Sequence, residues 1–431
     1  MRQKRYFGGI MNESAPGLYS LPHAVFLRRL AGATRGTSLD ARLGRGAFVA
    51  LRLIDLLAPD EPALPRDAFR YQHAATDRAC RGLPADLPET SHLIGVVQST
   101  ADAYHTHDVG LLFPALFAYA HYLEDEMCLE EALDVLETLE RVGGDKYRDE
   151  DQVSARLRVA RVLRKLTRFD EAERMYAEAE ALAAGIGDTH SRLLSRIGHA
   201  EAVRGRGNLG DAESSLHLIL REVAALGDQG AQARAHHVLA AVLHNGGRPA
   251  EAIPHVWRAF ELYDDELSRS RALGDLGGML LMVGDPQGAE RAFNEVLRRA
   301  ATEDVLTNAM IDLMNCASFQ GNRLGFERWR EQCESRRDSM SPNILVDFVL
   351  KEGIGRGRFG QFDRAEPLLV KALQIAESSG LHEFAFRIQR ITSGLHDCRQ
   401  EPATTSGSFD ATEAGDDAVR EVSASLARLE C

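Results

Sequence analysis

Seven copies of one short phrase, spaced 37 to 40 residues apart, constrain this chain more than any other feature of its 431 residues. Each copy has a glycine or polar turn, an acidic or polar residue, and an anchor that opens an apolar helix. The phrase reads CLEEALDVLETL around Ala132, RFDEAERMYAEA around Ala172, NLGDAESSLHLI around Ala212 and RPAEAIPHVWRA around Ala252. It continues as DPQGAERAFNEV around Ala289, RLGFERWREQC around Phe326 and QFDRAEPLLVKA around Ala365. Successive anchors stand 40, 40, 40, 37, 37 and 39 residues apart. Packing residues four and seven positions after an anchor, such as Tyr176 and Ala179 or Phe293 and Val296, share one face of a helix. Twelve positions before it stands Ala120, Ala160, Ala200, Ala240, Gly277 or Gly353, with Met314 the exception. Small side chains there let two antiparallel helices approach closely across a short turn.

Between repeats the chain stops and restarts. Gly187-Asp188 and Gly227-Asp228 each pair a glycine suited to ending one helix with an aspartate suited to capping the next. Pro249 and Pro286 fall where a missing N–H is harmless. One helical hairpin cannot bury its apolar face alone, so neighbours must stack and the core grows along one axis.

This series resembles the tetratricopeptide repeat family over residues 108–398. Its pitch exceeds the family's usual length of about 34 residues. In that respect it is similar to the long repeats of kinesin light chain and of bacterial peptide-sensing regulators. The resemblance implies an all-α, right-handed superhelical α-solenoid of about seven hairpins with helical caps. The repeat at Phe326 departs most, because Phe326, Trp329 and Cys333 replace small residues, and a bulky anchor there bends the stack or marks a seam.

The flanks are read as follows. Residues 1–20 form a flexible leader: the basic MRQKR is followed by no apolar signal core, and Met11 is an alternative start. Residues 21–107 hold helical stretches at 21–33, 40–57, 66–83 and 91–106, an N-terminal cap or degenerate repeats, with a separate effector module as the alternative. Residues 382–395 close the stack through Phe384, Ile388, Ile391 and Leu395. A disordered linker at 399–417 leads to a short amphipathic tail helix at 418–431, where Val419, Val422, Leu426 and Leu429 line one side. That tail either docks or is an unstructured appendage.

A net charge of −13 opposes general binding to nucleic acid or an anionic membrane, and no run approaches the ~20 apolar residues of a membrane helix. The six cysteines are scattered without pairing motifs and read as buried or idle thiols of a cytoplasmic protein. GxGxxG occurs at Gly205–Gly210 and Gly355–Gly360, both read as the same hairpin turn without a preceding strand, and GxxxxGK[ST] is absent. His236, His237 and His244 lie on a helix without zinc spacing. No cofactor, metal or catalytic residue is assigned, and an enzyme is not expected.

Charge patterning says more. Residues 124–151 hold twelve acids against three bases, and the next helix answers with Arg156, Arg158, Arg161, Arg164, Lys165 and Arg168. Pairing between neighbouring helices explains this equally well as a binding surface does. In the resembled family the first helix of each hairpin lines the concave groove, and the residue after the small packing position points into it. That slot holds His121, Arg161, Glu201, Ala241, Gly278, Asn315 and Ile354, with Glu124, Arg164, Lys165, Arg204, His244, Asn245 and Ser318 one turn on. The candidate site is therefore Arg161, Arg164, Lys165, Glu201, Arg204, His244, Asn245 and Asn315, a cationic, amide-rich lining suited to an extended acidic or C-terminal peptide. The expected function is a scaffold or adaptor holding a protein segment. The sensing arm of a signalling or transcriptional regulator is the alternative.

Overall fold

The structure is a computed structural model, described here for residues 21–31, 38–58, 65–144, 148–299, 302–379, 381–400 and 413–429. The leader at 1–20 lies outside the described residues. Among those described, the chain is helical and no strand occurs. It divides into two compact units, Asn12–Asn208 and Leu209–Cys431, and the boundary falls inside one sequence repeat.

The first unit opens with α1 (Ala24–Ala31), α2 (Leu39–Asp55), α3 (Arg66–Arg81) and α4 (Pro88–Thr106). The hairpins α5 (Phe113–Asp125) with α6 (Leu129–Gly143) and α7 (Asp149–Lys165) with α8 (Phe169–Ile186) follow, and α9 (Thr189–Gly205) ends the unit. One hydrophobic core runs through all of this, from Phe26 to Ala202. Buried charge fastens α1 to it. The Arg29 guanidinium donates from Nη1 to Glu89 at 2.7 Å and from Nε to Glu131 at 2.9 Å, and the Tyr119 hydroxyl donates to Glu89 at 3.1 Å. His23 sits between Asp134, 2.6 Å from Nδ1, and Asp55, 3.1 Å from Nε2. Burial works against a charged imidazole, but the two carboxylates outweigh it and hold the His23 pKa above its ordinary value.

The second unit holds α10 (Leu209–Leu226), then α11 (Gln229–Asn245) with α12 (Pro249–Leu262) and α13 (Glu266–Met282) with α14 (Pro286–Arg299). After these come α15 (Glu303–Phe319) with α16 (Arg323–Glu334), α17 (Pro342–Arg358) with α18 (Phe362–Ser378), α19 (His382–Gln400) and α20 (Glu413–Leu429). Pro249 and Pro286 open α12 and α14, where no N–H is needed. Asp188 and Asp228 cap α9 and α11 by accepting the N–H of Ser191 and Ala231 at 3.0 and 2.9 Å, each after a glycine with positive φ.

Small residues twelve positions before the anchors are buried, and their size is used. A Cβ on Gly277 would sit 2.5 Å from the Phe293 ring, and one on Gly353 3.0 Å from Leu369, each the residue four after the anchor of the same hairpin. The Phe326 repeat solves the problem differently. Its ring is fully buried over Gly355 of α17, where a Cβ would lie 2.3 Å away, and it meets Phe359 edge-on at 5.3 Å. Here α15 packs directly against α17, and the short α16 scarcely reaches it.

The hairpin turn has a conformational signature. The residue five before each of the seven anchors has positive φ: Met127, Thr167, Gly207, Gly247, Gly284, Gly321 and Gly360. This corrects the reading of the two GxGxxG stretches as one turn. Gly207 corresponds to Gly360, so the second motif is displaced by three residues and its first two glycines lie inside α17. The left-handed region costs an L-residue ~1–2 kcal/mol, most for a β-branched one. Thr167, at φ 60° and exposed, carries that cost. Thr167→Gly should therefore raise stability by about 0.5–1 kcal/mol after the extra unfolded-chain entropy of glycine is subtracted. An unchanged or lowered denaturation midpoint would show the turn to be relaxed as it stands.

At the C-terminus α19 packs on α18 and α17, with Ile388 buried and Phe384 and Ile391 half-buried. The side chain of Leu395 lies outside the described residues. Helix persists to Gln400 and resumes at Glu413, five residues before the expected tail start. Only residues 401–412 of the expected linker lie outside the described residues.

Candidate functional site

The eight candidate residues divide between the units, five in the first and three in the second. In each unit, side chains bridge consecutive first helices, so these helices present a shared strip.

In the first unit the strip runs over α5, α7 and α9. Glu124 of α5, almost fully buried, accepts from Arg161 and lies 2.7 Å from Lys165 Nζ. Burial opposes its charge, yet Arg161 and Lys165 prevail and hold its carboxyl below the usual range. Arg164 reaches Glu201 of α9 at 3.2 Å. The expected cationic lining is thus partly paired: Arg164 meets Glu201, while Arg161 and Lys165 share the single charge of Glu124. The reason is geometric, since stacking brings residues about 37 apart in sequence into contact. Arg204 is half-buried with no carboxylate partner among the described residues, and its Nε, like those of Arg161 and Arg164, is buried without an acceptor.

One residue of this strip escaped the sequence reading. Arg158, a turn before Arg161 on α7, lies over the Phe117 ring with its guanidinium carbon 4.9 Å from the centroid. No carboxylate among the described residues lies within ion-pair distance of it. Burial and the neighbouring Arg161 pull its pKa down, the mark of under-compensated positive charge. The signal was present in the sequence as the position one helical turn before the groove slot.

In the second unit the strip runs over α11, α13, α15 and α17 and has a different character. His244 is half-buried and Asn245 exposed near the end of α11. His237 Nε2 meets Asp275 of α13 at 2.8 Å, and Lys351 of α17 meets Asp312 of α15 at 2.5 Å. Asn315 is already engaged, because Arg358 donates to its Oδ1 and to Ser318 Oγ, each at 2.7 Å. The same guanidinium lies 3.5 Å over the centroid of Phe319. Phe319 and Met282 occupy one repeat position on α15 and α13, and each is about half exposed at 47 %. Gly274 and Gly278 leave open space where side chains would stand.

Chemically, these strips offer guanidinium and amide groups to carboxylates and backbone carbonyls, and an apolar ledge beside them. Among the described residues no group of three His, Cys, Asp or Glu side chains gathers as a metal ligand set, and no helix is long and apolar enough to cross a membrane.

Comparison with known proteins bears on the repeat. Residues 231–302, which coincide with α11 to α14, match the family model described as tetratricopeptide repeat. No curated protein matches the chain in sequence. Similar solved structures include the Rap conjugation gene regulator of plasmid pLS20 in complex with the Phr* peptide, at 12 % identity and TM-score 0.49, over 84 % of this chain and 99 % of that one. Aspartyl phosphate phosphatase F from Bacillus subtilis is similar at 11 % identity and TM-score 0.48, over 80 % and 96 %. The apo form of the quorum sensor NprR from B. thuringiensis follows at 10 % identity and TM-score 0.44, over 84 % and 99 %. Residues 231–302 thus match the tetratricopeptide repeat, and helical hairpins recur at the same pitch in both units.

Proposed function

We propose that this chain is a cytoplasmic protein-interaction scaffold that holds an extended, acidic protein segment against its first helices. The observation that carries this reading is the charge left over in the first unit. Glu124 and Glu201 pair with Arg161, Lys165 and Arg164 and leave one positive charge over, while Arg158 and Arg204 add two more without an ion-pair partner among the described residues. A carboxylate of the bound segment would complete them through charge-assisted hydrogen bonds. The second unit by itself offers His244, Asn245, Asn315 and the stacked Arg358 to a segment bound there, with Phe319 and Met282 receiving an apolar side chain. The free, buried thiols Cys80, Cys316 and Cys333 fit a reducing compartment.

Selection from a phage-displayed random peptide library on the full-length chain tests the ligand class. Enriched peptides should be rich in Asp and Glu and should elute as salt rises, since exposed charges are screened over ~8–10 Å at physiological ionic strength. Enrichment of basic peptides would reject the reading.

A further inference from the structure

The chain enters α1 through a residue that is both strained and buried. His23 has φ 62°, in the left-handed region that L-residues seldom adopt, and its side chain is shut off from solvent. The imidazole reaches two different helices. Nδ1 lies 2.6 Å from Asp134 of α6, and Nε2 lies 3.1 and 3.2 Å from the two carboxylate oxygens of Asp55 of α2.

A neutral imidazole carries one N–H and one lone pair. Whichever nitrogen kept the lone pair would point it at a carboxylate oxygen, so a neutral ring holds one of these helices and repels the other. An imidazolium donates to both. The two carboxylates are not equally placed. Asp55 also accepts from Arg52 at 2.7 Å and from Arg141 of α6 at 2.6 Å, whereas His23 is the only ion-pair partner of Asp134 among the described residues. Glu137, one turn after Asp134 on α6, adds no relief: burial and the charge of Asp134 hold its own carboxyl above the usual range. The remaining charges along α1 are matched elsewhere. Arg28 meets Glu130 of α6, and Arg29 meets Glu131 of α6 and Glu89 of α4, which also accepts from Tyr119 of α5.

We propose that His23 is a pH-sensitive clasp: as an imidazolium it ties the start of α1 to α2 and α6 together, and when the ring loses its proton one tie becomes repulsive and α1 loosens from the first unit. The Arg28 and Arg29 pairs remain, so the helix loosens without leaving. The direction follows from the charges around the ring. Burial alone would discharge it, yet Asp134 and Asp55 raise its pKa above the ordinary 6.5. A histidine raised on folding contributes stability that is complete below its unfolded pKa, about 6.5, and is lost as pH climbs through its folded one.

Hydrogen exchange of the full-length chain at about pH 6 and about pH 8.5, corrected for the chemical exchange rate at each pH, tests the clasp. Amides of α1 should lose at least threefold in protection at the higher pH, while those of α7 keep theirs. In His23→Gln, α1 should be equally loose at both, because glutamine does not titrate. Should that variant fail to fold, Asp134→Asn reads the same link: an amide accepts from a protonated ring or donates to a neutral one, so the pH dependence should shrink while α1 stays docked. Nitrogen NMR of the wild-type chain should show both ring nitrogens of His23 protonated at the lower pH. Protection of α1 that is flat or rises with pH, a neutral His23 ring at about pH 6, or a pH dependence undiminished in both variants would overturn the proposal.

Discussion

Arg29→Met should loosen the Asn12–Asn208 unit by about 3–5 kcal/mol, the range for removing one partner of a buried ion pair. Arg29 is 2 % exposed and Glu89 is fully buried, so the substitution strands a carboxylate that water cannot reach. Burial disfavours the charge on Arg29, yet Glu89 and Glu131 keep its pKa well above the ordinary value. Glu131, at the rim, can turn to solvent; Glu89, which accepts from the Tyr119 hydroxyl, cannot. Replacing Glu89 by Gln in the Arg29→Met background should recover part of the loss, because the stranded charge is then gone. Hydrogen exchange of α4 and α5 in the full-length chain reads the effect locally. Unchanged protection there would show that α1 contributes little to the unit.

Gly198→Ala is the second large effect. A Cβ at Gly198 of α9 would stand 2.2, 2.5 and 2.8 Å from three atoms of the Tyr176 ring, which α8 buries to 4 % exposure. A flat ring cannot yield at one atom, so the two helices must part. Overpacking of this kind costs ~1–3 kcal/mol, occasionally more. Tyr176→Leu alone should also destabilise, through lost packing, but combined with Gly198→Ala it should recover stability relative to Gly198→Ala. Simple additivity of the two costs in chemical denaturation would argue that they do not touch.

The repeat was legible because its physics is local. Anchors, small residues twelve positions earlier and capping aspartates recur at fixed spacing, and each requirement comes from one hairpin. The turn was legible at Gly247 or Gly284, where glycine announces positive φ, and hidden at Met127 and Thr167, where the stack imposes the same conformation on other side chains. Charge was read less well, because its partners come from neighbouring repeats. Glu124 meets Arg161 and Lys165 only once α5 and α7 lie side by side, which turns a run of like charge into internal pairs. The buried bonds of His23 to Asp55 and Asp134 span 32 and 111 residues and have no periodic signal. Arg158 and Arg358 lay in plain view, but nothing in the sequence says which arginines a fold leaves without carboxylates.

Arg158 and Arg204, the arginines of the first unit without a carboxylate partner among the described residues, carry the proposed function. An acidic, fluorescein-labelled peptide recovered from the library, titrated against wild type and against Arg158→Glu with Arg204→Glu, tests it most directly. Burial at Arg158 penalises either sign of charge, but the neighbouring Arg161 repels an arginine and attracts a glutamate, which should keep the cost of reversal to folding small. The account predicts at least a tenfold loss of affinity, a weaker salt dependence and an unchanged melting curve. Full retention of affinity in the double variant would contradict it and place the acidic segment elsewhere on the chain.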